Sequence, residues 1–373
     1  MKRIKVLCVL GTRPEVIKMA PVVHELRSQD QRFESVVVST SQHREMLEQV
    51  LAVFSIEPDI DLNVMRPRQS LSHITVAALQ GVESVLRDVQ PDVILVQGDT
   101  TTVFAASLAA FYCRVPVGHI EAGLRSFDRF NPYPEEVNRC LTDVITDFYF
   151  APTERARSNL IREGVTEDAI FVTGNTVVDA LQFAEKLPFS FDRPEFEGVQ
   201  LDEGRTLLVT AHRRENHDGP FKSVCLALVE LVGRFEDLQL VYPVHLNPAV
   251  REPAHELLGG TDRIHLIPPL DYLSFVNMMK KSHLILTDSG GVQEEAPSFG
   301  KPVLVLRKVT ERPEAYEEGV ARVIGTDQAS IVGEVSRLLE DPEAYRDMAR
   351  VASPYGDGNA SVRIVQALSD RLS

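Results

Sequence analysis

Short apolar runs alternate with amphipathic stretches along most of the chain. A continuous apolar run is typical of a strand that is buried on both faces, whereas apolar positions three or four residues apart are typical of a helix. The apolar runs predict strands at Ile4–Leu10, Val36–Thr40, Val93–Gln97, Val115–His119, Phe148–Ala151, Leu207–Ala211, Leu238–Pro243, Ile264–Ile267, Leu284–Asp288, Val303–Leu306 and Val320–Ile324. The amphipathic stretches of the first half predict helices at Glu15–Asp30, Gln42–Phe54, Leu71–Val89 and Thr101–Tyr112.

This alternation predicts an α/β protein made of two doubly wound, Rossmann-like parallel-sheet domains in tandem. The segment Leu187–Gly204 is rich in Pro, Phe, Asp and Glu and lacks periodicity, as expected of a connector. We therefore place an N-terminal domain at residues 1–186 and a C-terminal domain at residues 187–359. Ligands of such sheets bind at the carboxyl ends of the strands, and in a tandem pair those ends can face each other across a cleft.

The charge and composition of the chain narrow the range of partners. A formal net charge of −15 argues against a nucleic-acid or anionic membrane surface, which would need a basic face. An acidic protein that binds a diphosphate must gather its Lys and Arg locally, so cations clustered in motifs gain weight. The four cysteines form no close pair, and the His and Cys residues show no metal-ligand spacing, so we expect reduced thiols and no metal. With no signal peptide and no membrane-spanning run in the sequence, we expect a cytoplasmic protein.

The segment Thr287–Pro297 carries the most informative motif. Ser289–Gly291 follows a predicted strand and precedes a helix that we expect to start near Val292. Backbone N–H groups at such a junction form an anion site, and glycine lets a ligand approach the backbone closely. Because a carboxylate repels phosphate but suits a sugar diol, the motif predicts phosphate at Ser289–Gly291 and ribose at Glu295. The alternative is that Glu294 and Glu295 only complement the helix dipole in its first turn.

Other polar motifs follow the strands of the first domain. Arg13 and Lys18 surround the start of the first helix, although Lys18 could be an ordinary solvated helix residue. The segment around them is neither a dinucleotide fingerprint nor a P-loop. Asp99 ends the third strand and is either a helix N-cap or a catalytic acid. Glu121 ends the fourth strand, where a carboxylate has no role in an apolar core.

Two further motifs supply a carboxylate and a basic cluster. Glu135 and Glu136 open a helix, so one of them can complement the helix dipole and the other can do chemistry. In the second domain, His212 ends a strand and is followed by Arg213 and Arg214. The imidazole can transfer a proton or hold a phosphate, and the two guanidinium groups add charge-assisted donors.

In their order, the segments Gly11–Glu15, His212–Asn216 and Thr287–Ala315 resemble those of the non-hydrolysing UDP-N-acetylglucosamine 2-epimerases, and the resemblance covers nearly the whole chain. It implies the glycosyltransferase B fold, with a final helix at residues 360–373 that crosses back onto the first domain, and a homodimer. It also implies an isomerase of polysaccharide biosynthesis that acts on a UDP-sugar without a cofactor.

The reaction implied by the resemblance inverts C2 reversibly and interconverts UDP-GlcNAc and UDP-ManNAc. The C2–H of an acetamido sugar is not acidic, so the C1–O bond to UDP must break first, giving a 2-acetamidoglucal to which UDP adds back. Cations and N–H groups would stabilise the departing diphosphate, and carboxylates would shuttle protons. The resemblance assigns catalysis to Asp99, Glu121, Glu135 and His212. It assigns substrate binding to Arg13, Lys18, Leu270, Phe275, Ser289, Gly290, Gly291, Glu295 and Arg312, with Leu270 and Phe275 at the uracil.

Three other functions stay open on this reading. A related enzyme could epimerise UDP-2,3-diacetamido-glucuronic acid, and a glycosyltransferase of the same fold would use the same UDP contacts with an acceptor pocket. A non-catalytic nucleotide-sugar sensor is the third, but three carboxylates near a diphosphate would weaken its binding. The choice of general base among the carboxylates is also open.

The resemblance further implies an activator site, because bacterial members of the family bind a second UDP-GlcNAc beside the substrate. The residues implicated match Gln42, Arg68, Arg213 or Arg214, and His245. Glu45 stands where a glutamine is usual, and an ionised glutamate cannot donate a hydrogen bond. Either this site is weakened rather than lost, or residues 42–45 are simply the solvated start of a helix.

Overall fold

A computed structural model describes residues 2–40, 44–64, 69–213, 216, 219–307, 313–350 and 354–372, with the backbone alone for residues 44–46. The chain forms two compact units. One comprises Met1–Ala184 with Tyr355–Ser373, and the other comprises Glu185–Pro354. Each unit is built on a parallel β-sheet with helices between successive strands, so the predicted pair of doubly wound domains is confirmed.

Within the described residues, the first unit holds a seven-stranded sheet. Its strands are β1 (Ile4–Leu10), β2 (Phe33–Ser39), β3 (Ile60–Asp61), β4 (Val93–Gln97), β5 (Val117–Ile120), β6 (Phe148–Ala151) and β7 (Ile170–Val172). Its helices are α1 (Arg13–Ser28), α2 (Arg44–Val53), α3 (Leu71–Val89), α4 (Thr101–Cys113), α5 (Glu135–Val144), α6 (Glu154–Arg162) and α7 (Thr176–Glu185). The strand order is β3-β2-β1-β4-β5-β6-β7. Because the order reverses between β1 and β4, their carboxyl ends border the point where such sheets bind ligands.

Apolar side chains cover both faces of this sheet, which explains its continuous apolar runs. Leu7 of β1 and Ile94 of β4 are fully buried and belong to a core that α3 and α4 complete on one face. Val6 and Leu95, which point to the opposite face, are equally buried. A strand with both faces covered has no polar positions to alternate with.

Some strands of the first sheet differ from their predicted bounds. β5 begins at Val117 instead of Val115, because Pro116 has no N–H to donate to the ladder. The apolar pattern does not predict β3 or β7, because these strands are two and three residues long and too short to stand out.

Within the described residues, the second unit holds a six-stranded sheet in the order β10-β9-β8-β11-β12-β13. Its strands are β8 (Arg205–Thr210), β9 (Leu238–Pro243), β10 (Ile264–Ile267), β11 (Leu284–Thr287), β12 (Val303–Val305) and β13 (Ala321–Val323). Its helices are α8 (Gly219–Arg234), α9 (Pro248–Leu258), α10 (Tyr272–Lys281), α11 (Gly290–Glu295), α12 (Pro313–Glu317), α13 (Gln328–Glu340) and α14 (Pro342–Met348). Here β8 and β11 are the neighbours at which the order reverses, so their carboxyl ends mark the corresponding ligand-binding edge.

The last helix, α15 (Ala360–Leu372), belongs to the first unit and packs against α1. Asp179 of α7 caps its first turn: the carboxylate accepts the N–H groups of Ala360 and Ser361 at 3.2 and 2.8 Å, and the Ser361 hydroxyl at 2.6 Å. Burial raises the pKa of Asp179 against these hydrogen bonds. The cap therefore fixes where α15 begins.

Candidate functional site

The carboxyl ends of β1, β4 and β5 lie side by side at one edge of the first sheet. Two glycines let the chain turn tightly there: a Cβ on Gly11 would lie 2.9 Å from Thr102 Oγ1, and Gly98 has a φ of +85°. Glu121 also has a positive φ, of +70°, which is uncommon for a residue with a side chain. Such a conformation persists where the surroundings fix the residue, and it is frequent at functional sites.

A buried ion pair joins two of the predicted site residues. Lys18 Nζ lies 2.5 Å from Glu121 Oε1, and the two side chains are only 10% and 5% exposed. Glu121 also accepts hydrogen bonds from Gln97 Nε2 at 2.6 Å and from Asn175 Nδ2 at 3.1 Å. Lys18 is therefore not a solvated helix residue, and that alternative is wrong. Donors from α1, from β4 and from the loop before α7 hold Glu121 in place.

Asp99 lies at the same edge and is tied to Glu121 through Arg139 of α5. The Arg139 guanidinium forms an ion pair with Asp99 and donates to the carbonyl oxygen of Glu121 at 2.5 Å. Burial would lower the pKa of Arg139, but the charges of Asp99 and Glu121 outweigh it and raise that pKa. The N-cap of α4 is Thr100, whose hydroxyl accepts the Val103 N–H at 3.3 Å, so the N-cap alternative for Asp99 is wrong. The Asp99 side chain is 27% exposed and can meet a ligand.

The two glutamates at the start of α5 have different surroundings. Glu136 is buried and accepts the backbone N–H groups of Ser126 and Phe127 at 2.8 and 2.9 Å, which fixes the preceding loop. Glu135 is the first residue of α5 and is partly exposed. Of the two, Glu135 is the better placed to reach a ligand.

Beside these carboxylates lies a buried charge network that the sequence motifs do not predict. His119 places Nδ1 2.6 Å from Asp143 Oδ1 and Nε2 2.7 Å from the carbonyl oxygen of Gly98. Asp143 also accepts from the Arg125 guanidinium at 2.6 Å and from the Gly123 N–H at 3.2 Å. Burial would raise the pKa of Asp143, but the charges of His119 and Arg125 and their hydrogen bonds hold it below its usual range. The network joins the loops that follow β4 and β5.

Glu15 holds the turn that carries Arg13. Its buried carboxylate accepts the Gly11 N–H at 2.6 Å and the Thr12 hydroxyl at 2.9 Å. Burial raises the pKa of Glu15 to about 7, against hydrogen bonds from Thr100, Thr12 and Gly11. Arg13 itself is the first residue of α1 and is partly exposed.

We expect the free energy of unfolding to fall between about pH 4.5 and pH 7 because of Glu15. The ordinary pKa of this carboxyl is 4.5, but in the folded protein it is about 7, so the folded state keeps a proton that the unfolded chain has lost. This difference in pKa corresponds to about 3 kcal/mol. In urea unfolding across this range, Glu15→Gln should flatten the fall, whereas Glu57→Gln, at an exposed position, should retain it. Equal slopes in the two variants would contradict the prediction.

In the second unit, Asp288 connects the ends of β8 and β11. Its side chain is fully buried, and Oδ2 accepts the backbone N–H groups of His212 and Arg213, both at 2.8 Å. Asn216 Nδ2 donates to the same oxygen at 3.1 Å, and Arg213 Nε donates to the Asp288 carbonyl oxygen at 3.1 Å. The loop after β8 is thereby fixed beside the predicted phosphate segment.

The helix of the phosphate segment begins earlier than predicted. α11 starts at Gly290 and not near Val292, because Ser289, two residues after the end of β11, adopts the extended backbone of an N-cap. The Ser289 side chain makes no capping hydrogen bond. Glu294 and Glu295 fall in the last turn of this six-residue helix, and both are buried. A carboxylate there does not complement the helix dipole, so that alternative is wrong.

The predicted uracil contacts lie at the start of α10. Leu270 is buried just before the helix, and Phe275 within it is partly exposed. Asp271 caps α10 by accepting the Ser274 N–H at 2.7 Å, and it pairs with Arg193 at 3.2 Å. The connector segment, residues 187–204, is therefore anchored to the helix that carries Phe275.

The residues predicted for the activator are placed in part. The His245 side chain is exposed, and its ring stacks on that of His212 with centroids 5.4 Å apart and planes at 16°. Arg213 lies next to this pair in the loop after β8. Of the residues predicted for the activator, Gln42, Arg68 and Arg214 lie outside the described residues, and so does the side chain of Glu45. The predicted substrate contact Arg312 also lies outside them.

No group of three or more His, Cys, Asp and Glu side chains among the described residues is arranged to hold a metal ion. In the same part of the chain, no helix has the length and hydropathy needed to cross a membrane.

Motif reasoning misses several polar residues of the first unit. Arg139 lies four residues after Glu135, so the two share one face of α5, and that spacing could have identified it. Asn175 follows β7, and because that strand is too short to be seen in the apolar pattern, strand-end reasoning does not reach it. Gln97 is the last residue of β4, but an uncharged amide draws no attention without its partner Glu121.

The sequence matches the family model described as UDP-N-acetylglucosamine 2-epimerase over residues 24–369. It is 53% identical over 368 residues to the UDP-N-acetylglucosamine 2-epimerase of Bacillus subtilis (strain 168), covering 99% of this chain and 96% of that protein. It is 52% identical over 376 residues to the UDP-N-acetylglucosamine 2-epimerase of Escherichia coli (strain K12), covering 99% of this chain and 100% of that protein.

Solved structures show the same similarity. The UDP-GlcNAc 2-epimerase from Neisseria meningitidis bound to UDP-GlcNAc has a TM-score of 0.92 and 50% identity, over 99% of this chain and 100% of that one. The Methanocaldococcus jannaschii UDP-GlcNAc 2-epimerase in complex with UDP-GlcNAc and UDP has a TM-score of 0.81 and 35% identity, over 98% of this chain and 100% of that one. The glycotransferase of kitacinnamycin, with a TM-score of 0.67 and 13% identity over 100% of both chains, shares the fold alone.

Proposed function

The chain belongs to the UDP-N-acetylglucosamine 2-epimerase family, and on this premise we propose that it interconverts UDP-GlcNAc and UDP-ManNAc by eliminating UDP and adding it back to a 2-acetamidoglucal. It is an isomerase with two parallel-sheet domains of the glycosyltransferase B type. The observation that carries the mechanism is the linked set of Lys18, Glu121, Arg139 and Asp99 at the carboxyl ends of the first sheet.

In the proposed mechanism, the first unit acts on the sugar. When the C1–O bond breaks, positive charge develops at C1, and the carboxylates of Asp99 and Glu121 stabilise it. The same charge makes the C2–H removable. Inversion needs proton transfer on both faces of C2, and Asp99 and Glu135, which are more exposed than Glu121, are the pair that we assign to it. Glu121, held by three donors, serves as a fixed charge.

The second unit is proposed to hold the UDP. The N–H groups of Ser289–Gly291 and the His212 side chain would bind the diphosphate, with Arg13 of the first unit as a further cation. Glu295 would accept from the ribose hydroxyls, and Leu270 and Phe275 would contact the uracil. Lys18 and Arg312 complete the predicted set. Support for this arrangement comes from Asp288, which fixes the His212 loop beside Ser289.

The reaction is tested by incubation in deuterated water. A proton that leaves C2 for a carboxyl group and is replaced from solvent puts deuterium at C2 of the product, which mass spectrometry detects. Inversion without deuterium would exclude the elimination mechanism.

The same assay separates the competing functions. It contains no acceptor, so turnover excludes a glycosyltransferase. UDP-2,3-diacetamido-glucuronic acid, assayed in parallel, tests the alternative substrate. The relatives solved with UDP-GlcNAc bound do not favour that alternative.

Arg13→Ala and Glu295→Ala are each expected to weaken UDP binding by about 10–100-fold. Each substitution removes a charged hydrogen-bonding group, worth about 1.5–3 kcal/mol, from the proposed UDP contacts. Isothermal titration calorimetry with UDP measures the change. Arg27→Ala at the other end of α1 and Glu252→Ala on α9 are exposed controls that should bind normally. Normal affinity in both test variants would remove these residues from the site.

We also propose that a second UDP-GlcNAc binds near His245 and Arg213 as an activator. Glu45 would weaken this binding, because an ionised glutamate cannot donate the hydrogen bond that a glutamine could. The stacking of His245 on His212 supports a continuous polar surface at the end of β8. If the site is retained, the reverse reaction from UDP-ManNAc shows a lag that trace UDP-GlcNAc abolishes. Full activity from the first moment would show that the chain works without an activator.

A homodimer is the proposed assembly. Exposed apolar side chains lie on the packed helices α3 and α4, namely Leu71, Val76, Phe111 and Tyr112. Exposed apolar side chains on two neighbouring helices make these helices the proposed contact surface. Sedimentation should show a dimer that Phe111→Glu weakens, and a wild-type monomer at micromolar concentration would refute the dimer.

A cytoplasmic location is also proposed. All four cysteines are free thiols, which is the usual state of cysteines in that reducing compartment. A fractionation experiment that recovers the protein outside that compartment would refute this assignment.

A further inference from the structure

Asp288 is a buried carboxylate that the proposed mechanism does not use. It directly precedes the phosphate segment, and its side chain has no exposed surface. Oδ2 accepts the three N–H donors of the β8 loop, but Oδ1, also buried, accepts no hydrogen bond from any described residue. A buried carboxylate oxygen without a hydrogen bond costs free energy, so its presence needs a reason.

In the described part of the chain, this oxygen lies near the imidazole of His212. Nδ1 of its imidazole lies 3.5 Å from Asp288 Oδ1, and the His212 backbone N–H is already bonded to Oδ2 of the same carboxylate. The two residues are thus held together at both the main chain and the side chain. The His212 side chain is 39% exposed, so the imidazole extends from the buried carboxylate to the surface. Among the described residues, His245 stacks on the imidazole and Arg213 follows His212 in the same loop.

We propose that Asp288 is a positioning residue whose Oδ1 accepts the Nδ1–H of His212 and holds that imidazole as a cation towards the departing diphosphate. The inference rests on the proposed function, in which His212 contacts the diphosphate. A neutral imidazole has one N–H, whereas the cation has one on each nitrogen, so it can donate to Asp288 and to a phosphate oxygen at once. When the C1–O bond breaks, the electron pair goes to the phosphate oxygen, and the charge that develops there is met by the cation. No proton needs to leave the pair.

A purely structural role for Asp288, tying β8 to β11, is the competing explanation, and Asp288→Asn separates the two. The three N–H donors at the Oδ2 position require an oxygen there, so the asparagine carbonyl takes that place and the loop stays tied. The NH2 group then takes the place of Oδ1 and faces His212 Nδ1. A donor opposite Nδ1 favours the neutral imidazole and disfavours the cation. Asn216→Ala is the matched control, because it removes one donor from Oδ2 and leaves Oδ1 facing His212.

The first measurement follows His212 by NMR in the full chain labelled with ¹⁵N-histidine, with and without UDP as the probe, and with His212→Gln for assignment. We expect the pKa of His212 to be about one unit or more lower in Asp288→Asn than in the wild type, and unchanged in Asn216→Ala. Equal values in the wild type and Asp288→Asn would overturn the inference. The wild type alone also tests it: at high pH the neutral ring should carry its proton on Nδ1, and a ring protonated on Nε2 alone would refute the contact.

The second measurement is the pH dependence of kcat. If Asp288 acts through the cation, kcat of Asp288→Asn falls about tenfold per unit of pKa lost at high pH, and the deficit shrinks as the pH is lowered. A structural defect would give a deficit that does not depend on pH, and this would also overturn the inference. The NMR titration does not require turnover, so it tests the role of Asp288 independently of the proposed epimerase function. A chain that binds UDP without epimerising refutes the proposed function, and an active chain with an unshifted His212 refutes the role of Asp288.

Discussion

The Asp99→Asn variant is expected to lower kcat for epimerisation by about 10²–10⁴-fold, the range typical of removing a general acid or base. The amide keeps a carbonyl oxygen for Arg139 but cannot accept or release the proton of C2. UDP should bind at least as tightly as in the wild type, because a negative charge near the diphosphate is lost. Steady-state kinetics and calorimetry with UDP measure the two effects, and Asp88→Asn, exposed on α3, is the matched control.

The comparison with Glu121→Gln sharpens this prediction. Each oxygen of Glu121 accepts from a buried donor, Lys18 and Asn175 on one side and Gln97 on the other. An NH2 group in either position would face a donor, so this variant should lose stability as well as activity. Asp99→Asn keeps an oxygen for Arg139, and its side chain is 27% exposed, so this variant should lose less stability than Glu121→Gln. An Asp99→Asn enzyme with wild-type kcat would show that Asp99 is not a proton carrier.

The Asp143→Ala variant is expected to lower the free energy of unfolding by about 3–5 kcal/mol, as when one partner of a buried ion pair is removed. It leaves His119 and Arg125 buried without the carboxylate that both contact. The pKa of Asp143 is lowered by folding, so its contribution is present above about pH 4 and is lost as the pH falls further. Urea unfolding at neutral pH measures the effect.

A matched control for Asp143 lies four residues further along. Asp147 is exposed and accepts one backbone hydrogen bond, from the Val117 N–H at 2.9 Å. Asp147→Ala should therefore cost about 1 kcal/mol. Similar losses of unfolding free energy in the two variants would show that the His119–Asp143–Arg125 network stabilises the fold no more than one backbone hydrogen bond does. A loss of activity in Asp143→Ala under conditions where it is folded would report displaced loops after β4 and β5.

The apolar pattern anticipates the fold because its signal is local. β1, β4 and α3 coincide with their predicted residues, since long buried runs and long periodic stretches leave little freedom in the bounds. The pattern fails where the signal is short, at β3 and β7, and where a single residue changes the hydrogen bonding, at Pro116. Strand-end reasoning singled out Asp99, Glu121 and His212 for the same local reason, because each lies within two residues of an apolar run.

The sequence by itself determined two doubly wound parallel sheets, the family, and the strand ends at which chemistry is placed, because apolar runs and contiguous motifs are written in neighbouring residues. Only the tertiary structure decided how the polar residues are used. It paired Lys18 with Glu121 across 103 positions, Arg139 with Asp99 across 40, and Asp288 with the loop of His212 across 76. Partners so far apart meet only when adjacent strands bring their ends together, and burial then makes each unpaired charge costly enough to fix its partner.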